Sequence, residues 1–277
     1  MYPNDFCKAG GNEDMVNDSK LGLGGHSFIQ ELGNDPQASF DEQCNIVSAC
    51  LDNGIRFIDT TYYQERVALG AVLQELGRRS EAVIMAWNFF NQPAAETKLV
   101  DYTPYEPHHI NVMLEELQTN YIDILVIHVH KNTEELHKEL DLAKKWKQEG
   151  KVKKVALGMV KLAHLCQLPA DHQVSYVLAP YNAFNQGSKE MFLKAKEMGM
   201  TAIALSPFIR GWKLDEIGGN KGSVAEILLR WVAGQRLIDR VIVSMRIEEW
   251  VHTNLTAIDR GPLTQQEESK LREWIRD

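Results

Sequence analysis

From residue 21 onward, short apolar runs alternate with longer stretches whose apolar positions recur at helical spacing. Residues 39–53 show the second kind most clearly. Phe40, Cys44, Ile46, Val47, Cys50 and Leu51 mark one helical face, Ser39 is placed to cap its start, and Gly54 stands just past its end. Strands are expected at 21–25, 56–59, 82–86, 122–128, 155–157, 174–178, 201–205 and 240–243. Helices are expected at 65–76, 107–119, 132–149, 188–198, 223–233, 248–255 and 264–274, with a long polar, proline-containing loop at 87–106. Strands that alternate with helices of this length pair in parallel through right-handed crossovers. Eight such units predict an α/β fold, a single-domain (β/α)₈ TIM barrel over 21–277 that includes the C-terminal helix, preceded by a polar segment at 1–20. An open doubly wound sheet is the competitor, but no Gly-x-Gly-x-x-Gly turn follows any strand.

Composition narrows the classes of function. A chain of 277 residues is long enough for one barrel. A net charge of -8 without any basic run argues against nucleic acid and anionic membranes as partners. No apolar run reaches transmembrane length, and the first residues lack the basic and apolar regions of a secretory signal. Cys7, Cys44, Cys50 and Cys166 are scattered without a Cys-x-x-Cys pair, which suits free thiols in a reducing compartment. A cytoplasmic protein acting on a small molecule is expected, with its oligomeric state left open.

The candidate chemistry gathers at NGIRFIDTTYYQERVALG, residues 53–70, where an apolar strand runs into Asp59, Tyr62 and Tyr63. A carboxylate and a phenol at the carboxyl end of a strand stand where α/β barrels keep their active sites. This stretch resembles the Asp-Thr-Ala…Tyr…Glu…Leu-Gly signature of the aldo-keto reductases. LEELQTNYIDILVIHVH, EGKVKKVALGM, TAIALSPFIRGWKL, AEILLRWVAGQ and SMRIEEWVHTNL are similar to later family segments, in order and at the right intervals.

The resemblance implies a tyrosine that protonates a carbonyl while a nicotinamide delivers hydride, helped by an aspartate, a lysine and a histidine. Asp59 and His128 stand at two of these positions. Tyr63 is taken as the tyrosine on counting back from Leu69–Gly70, with Tyr62 as the spare. The lysine position holds Trp87. Asp59, beside an indole instead of an ammonium, should have a raised pKa. The nicotinamide contacts are replaced by Gly158, Met159, Leu178 and Leu205, whereas Ser206 and Arg246 keep the phosphate end. Tyr62, Trp87, His130 and Trp212 are expected to line the substrate pocket. His128 and His130 would share one face of a strand, but no other strand end carries a clear His or Cys ligand, so no metal is expected.

These losses favour one expectation over two others. It is a barrel enzyme that uses Asp59, Tyr63 and His128 for acid–base chemistry on a small hydroxy- or keto-compound, without a cofactor, as a lyase, dehydratase or isomerase. The first alternative is an NADPH-dependent reductase with an altered site, retaining NADP(H). The second is a non-catalytic binding protein on the same fold.

Overall fold

The run Ile122–His128 forms a strand with the predicted bounds, and it lies between two parallel neighbours in a closed barrel. The computed structural model describes residues 18–30, 37–91, 100–129 and 133–276. Within them the order is β1 (Leu21–Leu23), α1 (Phe40–Asp52), β2 (Phe57–Tyr62), α2 (Tyr63–Leu76), β3 (Val83–Phe89), α3 (His109–Glu116) and β4 (Ile122–His128). Then follow α4 (Thr133–Gln148), β5 (Val152–Gly158), α5 (Leu162–Leu165), β6 (Val174–Pro180), α6 (Lys189–Glu197) and β7 (Thr201–Leu205). The chain ends with α7 (Trp212–Ile217), α8 (Lys221–Ala233), β8 (Arg240–Val243), α9 (Glu249–Asp259) and α10 (Gln265–Arg276). Each strand pairs in parallel with the next, and β8 closes on β1 through Leu21, Gly22 and Leu23. The barrel expectation is borne out.

Two apolar layers follow from the period of two along each strand. Outward residues such as Ile58, Ile84, Ala86, Leu125, Ile127, Val155 and Leu157 pack under the helices. Inward residues form a separate cluster of Phe57, Met85, Trp87, Phe89, Ile124, Val126, Ala156, Leu178, Ile203 and Ile242. The predicted cap of α1 is present, with Ser39 Oγ accepting the Glu42 N–H. Among the described residues no helix is long and apolar enough to cross a membrane.

Several expected boundaries move, two of them at the site. β2 continues through Thr60 to Tyr62, and β3 runs to Phe89 where a loop was expected from residue 87. A buried network holds these extensions. Arg66 of α2 donates to the carbonyls of Trp87 (2.8 Å) and Phe89 (3.0 Å), and its Nε–H donates to Glu116 (2.6 Å). On the outward side Asn88 donates to the Thr103 carbonyl, while Glu139 of α4 accepts the Tyr105 N–H at 2.8 Å. Backbone polar groups satisfied in this way keep strand geometry beyond the apolar run. His109 begins α3. It is buried and stacked on Phe90 at 3.8 Å, and burial, followed by the neighbouring His108, pulls its imidazole down to about 4.

Candidate active site

The carboxyl ends of β2, β3 and β4 bring Asp59, Trp87 and His128 to one mouth of the barrel. Asp59 is 6% exposed, Trp87 2%. The indole Nε1–H donates to Asp59 Oδ1 at 2.7 Å, so Trp87 takes up the carboxylate that a lysine would otherwise pair. An indole donates a hydrogen bond but brings no charge. Burial accordingly lifts the Asp59 carboxyl to about 7, with the Glu65 charge adding to the rise, and the Trp87 and Thr61 hydrogen bonds and the nearby His26 opposing it. The expectation of a raised carboxyl at this position agrees with the geometry.

Trp87 also explains the glycine on β5. A Cβ at Gly158 would lie 2.0 Å from the indole Cζ3, so the ring rests directly on the β5 backbone. Gly158→Ala is expected to push the indole off Asp59 and to cost about 1–3 kcal/mol, the usual range for overpacking. Denaturant unfolding, with near-ultraviolet circular dichroism reporting the indole, checks both effects.

His128 stacks on Tyr102 at 4.1 Å and meets Phe89 edge-on at 5.5 Å. Its backbone N–H donates to Asn88 Oδ1 at 2.9 Å, tying the end of β4 to β3. The rings of Trp87, Phe89 and Tyr102 gather around His128 at this mouth. His130 lies outside the described residues.

The two tyrosines separate. Alternation places Phe57 and Asp59 inward and Ile58 and Thr60 outward. Between Thr60 and Tyr62 the pairing with β3 shifts register: Thr60 faces the outward Ala86, but Tyr62 faces the inward Phe89. The shift carries Tyr62 into the mouth, 5.1 Å from the Phe89 ring. Tyr63 instead begins α2, where among the described residues its side chain makes no ring contact or hydrogen bond. The Tyr62 phenol is raised, by burial first and then by Glu65, with Arg210 opposing.

Around this centre lie groups that the sequence reading passed over. Glu65 is fully buried, accepts the backbone N–H groups of Thr61 (2.6 Å) and Tyr62 (3.2 Å), and binds His26 Nδ1 at 2.7 Å. His26 follows the first strand through two glycines. It could have been found by the argument that singled out Asp59, a polar side chain just beyond the carboxyl end of a barrel strand.

The phosphate-end residues lie where strands β7 and β8 end. Ser206 is exposed with φ 55°, and its carbonyl accepts from the buried Asn182 at 2.9 Å. Ile209, Arg210 and Gly211 continue the turn with positive φ. Trp212 is 54% exposed, with the Arg210 guanidinium 5.6 Å from its ring, so it stands outside the inward cluster. Arg246 is buried and donates to the His26 and Gln30 carbonyls. It also lines a cleft of about 350 Å³ with Gln37, Ser39, Glu42, Ile247 and Trp250. A larger cleft of about 620 Å³, lined by Arg79, Glu115 and Tyr121, lies at the amino ends of β3 and β4 and touches none of these residues. Glu106, His108 and His109 place ligand atoms within 4.8 Å of one another, but His109 Nδ1 already accepts the Glu106 N–H.

Residues 20–219 match the family model described as the aldo/keto reductase family. Aldo-keto reductase YhdN of Bacillus subtilis is 23% identical over 207 residues, spanning 70% of this chain and 59% of that protein. The barrel superposes on aldo-keto reductase AKR11C1 from Bacillus halodurans with a TM-score of 0.75 at 18% identity, covering 93% of this chain and 92% of the other. An aldo/keto reductase from Klebsiella pneumoniae, solved with NADP and acetate, gives 0.72 at 18% identity and the same coverages.

Proposed function

The chain belongs to the aldo/keto reductase family, and from that membership we propose an NADP(H)-dependent oxidoreductase that interconverts a small carbonyl compound and its alcohol. The family match over 20–219 carries this reading, since it spans the strands that deliver Asp59 and His128. The expectation of cofactor-free lyase, dehydratase or isomerase chemistry is corrected. It is overturned by that match, by relatives that are named reductases, and by a structural neighbour solved with NADP. The cofactor-free expectation goes with it.

The described residues fit the adenosine end of such a dinucleotide. The cleft beside Arg246 offers the flat Trp250 and polar groups, and the turn after β7 carries Ser206, Ile209, Arg210 and Gly211 in left-handed geometry. At the reactive end Trp87, Leu178 and Leu205 form an apolar surface, with the Gly158 backbone beneath the indole. There the chain offers packing and water exclusion, with no side-chain partner for a carboxamide at 158, 159, 178 or 205. When bound, the nicotinamide supplies hydride to the carbonyl carbon.

The chain's own residues then have separable tasks. Phe89, Tyr102 and Trp87 wall the mouth with aromatic surface and keep water from the reacting carbon. His128, held in the stack with Tyr102, orients the substrate oxygen. Tyr62 is favoured over Tyr63 as the mouth tyrosine because the register shift brings it inward. The free thiols Cys44, Cys50 and Cys166 accord with a cytoplasmic setting.

Glu42 sets a preference at the adenosine end. Its carboxylate accepts the Glu248 N–H at 2.7 Å, just before α9, and borders the cleft at the place a cofactor phosphate would favour. Glu42→Gln is expected to tighten NADPH binding about tenfold while leaving NADH little changed. Paired calorimetric titrations read the ratio. The reductase reading itself is tested by incubating the protein with NADPH and a panel of short aldehydes and ketones. Cofactor oxidation that requires a carbonyl supports it. No oxidation with any member of the panel refutes it.

A further inference from the structure

We propose that His26, held by the buried Glu65, is the proton-transfer group of this barrel mouth, in place of a lysine-activated tyrosine. The inference rests on the reductase reading above and deepens it. It starts from what Trp87 removes. The indole occupies Asp59 without supplying a charge, and the Tyr62 phenol is a weaker acid than a free tyrosine. Asp59 stands at about 7 but is buried, with Oδ1 held by the indole and Oδ2 accepting from Thr61, whereas His26 is partly exposed and open to proton exchange with solvent.

His26 has the arrangement required. A single 3-10 turn, Gly25–Ser27, carries it over the end of β2. The approach is close: a Cβ at Gly25 would lie 2.1 Å from Glu65 Oε2 and 2.7 Å from the Asp59 carbonyl, so only glycine lets the loop settle there. Glu65 is fixed by two backbone N–H donors, and its other oxygen meets His26 Nδ1 at 2.7 Å. A carboxylate only accepts, so Nδ1 carries a proton and Nε2, on the opposite edge of the ring, is the exchanging atom. The side chain is 27% exposed, and its ring lies 6.0 Å from that of Tyr62. The Arg246 Nε–H donates to the His26 carbonyl and fixes the backbone of the turn.

The charged and titratable groups around the ring are Glu65 from α2, Asp59 and Tyr62 from β2, Arg246 after β8, and Arg210 after β7, which acts on Tyr62. In the reducing direction the Nε2–H bond of the imidazolium breaks. Its proton would join the carbonyl oxygen, whose C=O π electrons form the new O–H bond as the carbon receives the hydride that a bound dihydronicotinamide would supply. The ring is left neutral with its proton on Nδ1, and water restores the second proton. In the oxidising direction Nε2 takes the alcohol proton.

Nitrogen-15 NMR of histidine-labelled protein reads the tautomer without any substrate. The neutral His26 ring is expected as the Nδ1–H form, and an Nε2–H form would overturn the assignment. With a carbonyl that the wild type reduces, His26→Gln is expected to lower kcat about 100-fold and to remove one ionisation from the pH profile. Added imidazole should restore part of the rate to His26→Ala. Unchanged kcat and pH profile in His26→Gln would overturn the proposal and leave the reductase reading standing. A wild type that turns over no carbonyl would overturn that reading and the proposal with it.

Discussion

Replacing Arg66 by methionine should destabilise the protein by about 3–5 kcal/mol, the cost of leaving one partner of a buried ion pair uncompensated. Arg66 is fully buried and uses all three of its guanidinium nitrogens on two other elements: Glu116 at the end of α3 and the Trp87 and Phe89 carbonyls of β3. Its guanidinium also lies 5.2 Å from the Phe90 ring. Methionine fills much of the volume but satisfies neither carbonyl. It also leaves Glu116, already raised by burial, without the cation that lowers it. The damage should reach the site, because the freed carbonyls belong to the residues that line the mouth. Arg66→Lys can restore the charge but not the three-way fork, and should recover less than half of the loss. Urea unfolding followed by circular dichroism measures both variants. A midpoint for Arg66→Met within error of the wild type would refute the account of β3.

Asp59→Asn should change the pH dependence of stability more than any other single substitution in the mouth. The Asp59 carboxyl stands at about 7 in the folded protein against an ordinary 3.8. A folded value above the unfolded one means that the folded state holds the proton more tightly. Its stabilising contribution is therefore complete below about pH 4 and is lost as the pH rises to about 7. At about pH 8 the buried charge costs up to about 4 kcal/mol, at about 1.4 kcal/mol for each unit by which the carboxyl is raised. Asparagine still accepts the Trp87 N–H through its carbonyl oxygen and carries no charge. The variant should match the wild type near pH 4 and exceed it in stability at about pH 8. Parallel unfolding curves across that range would show that Asp59 is charged at no cost.

The barrel was legible because its signal is redundant. β4, β7 and β8 have the bounds expected from their apolar runs, and Ser39 caps α1 as its position implied. Asp59 and His128 were legible because each follows an apolar strand directly. What escaped the sequence depends on contacts between distant segments. Tyr62 and Tyr63 are both plausible by counting, and only the register shift against β3 chooses between their directions. The extension of β3 to Phe89 depends on Arg66, twenty or so residues away, and on Glu139, about fifty away, whose burial no local pattern reveals. The chemical reading failed for a different reason. Loss of a lysine and of four polar contacts was read as loss of the reaction, although side chains delivered from elsewhere around a barrel mouth can take over such tasks.

The central claim is that this mouth works on a nicotinamide dinucleotide. Calorimetric titration of the purified protein with NADPH, NADH and NADP⁺ tests it most directly. The account predicts saturable binding of at least one of them with a Kd on the order of micromolar, accompanied by quenching of Trp87 fluorescence. Absence of binding by all three at about millimolar concentration would contradict it.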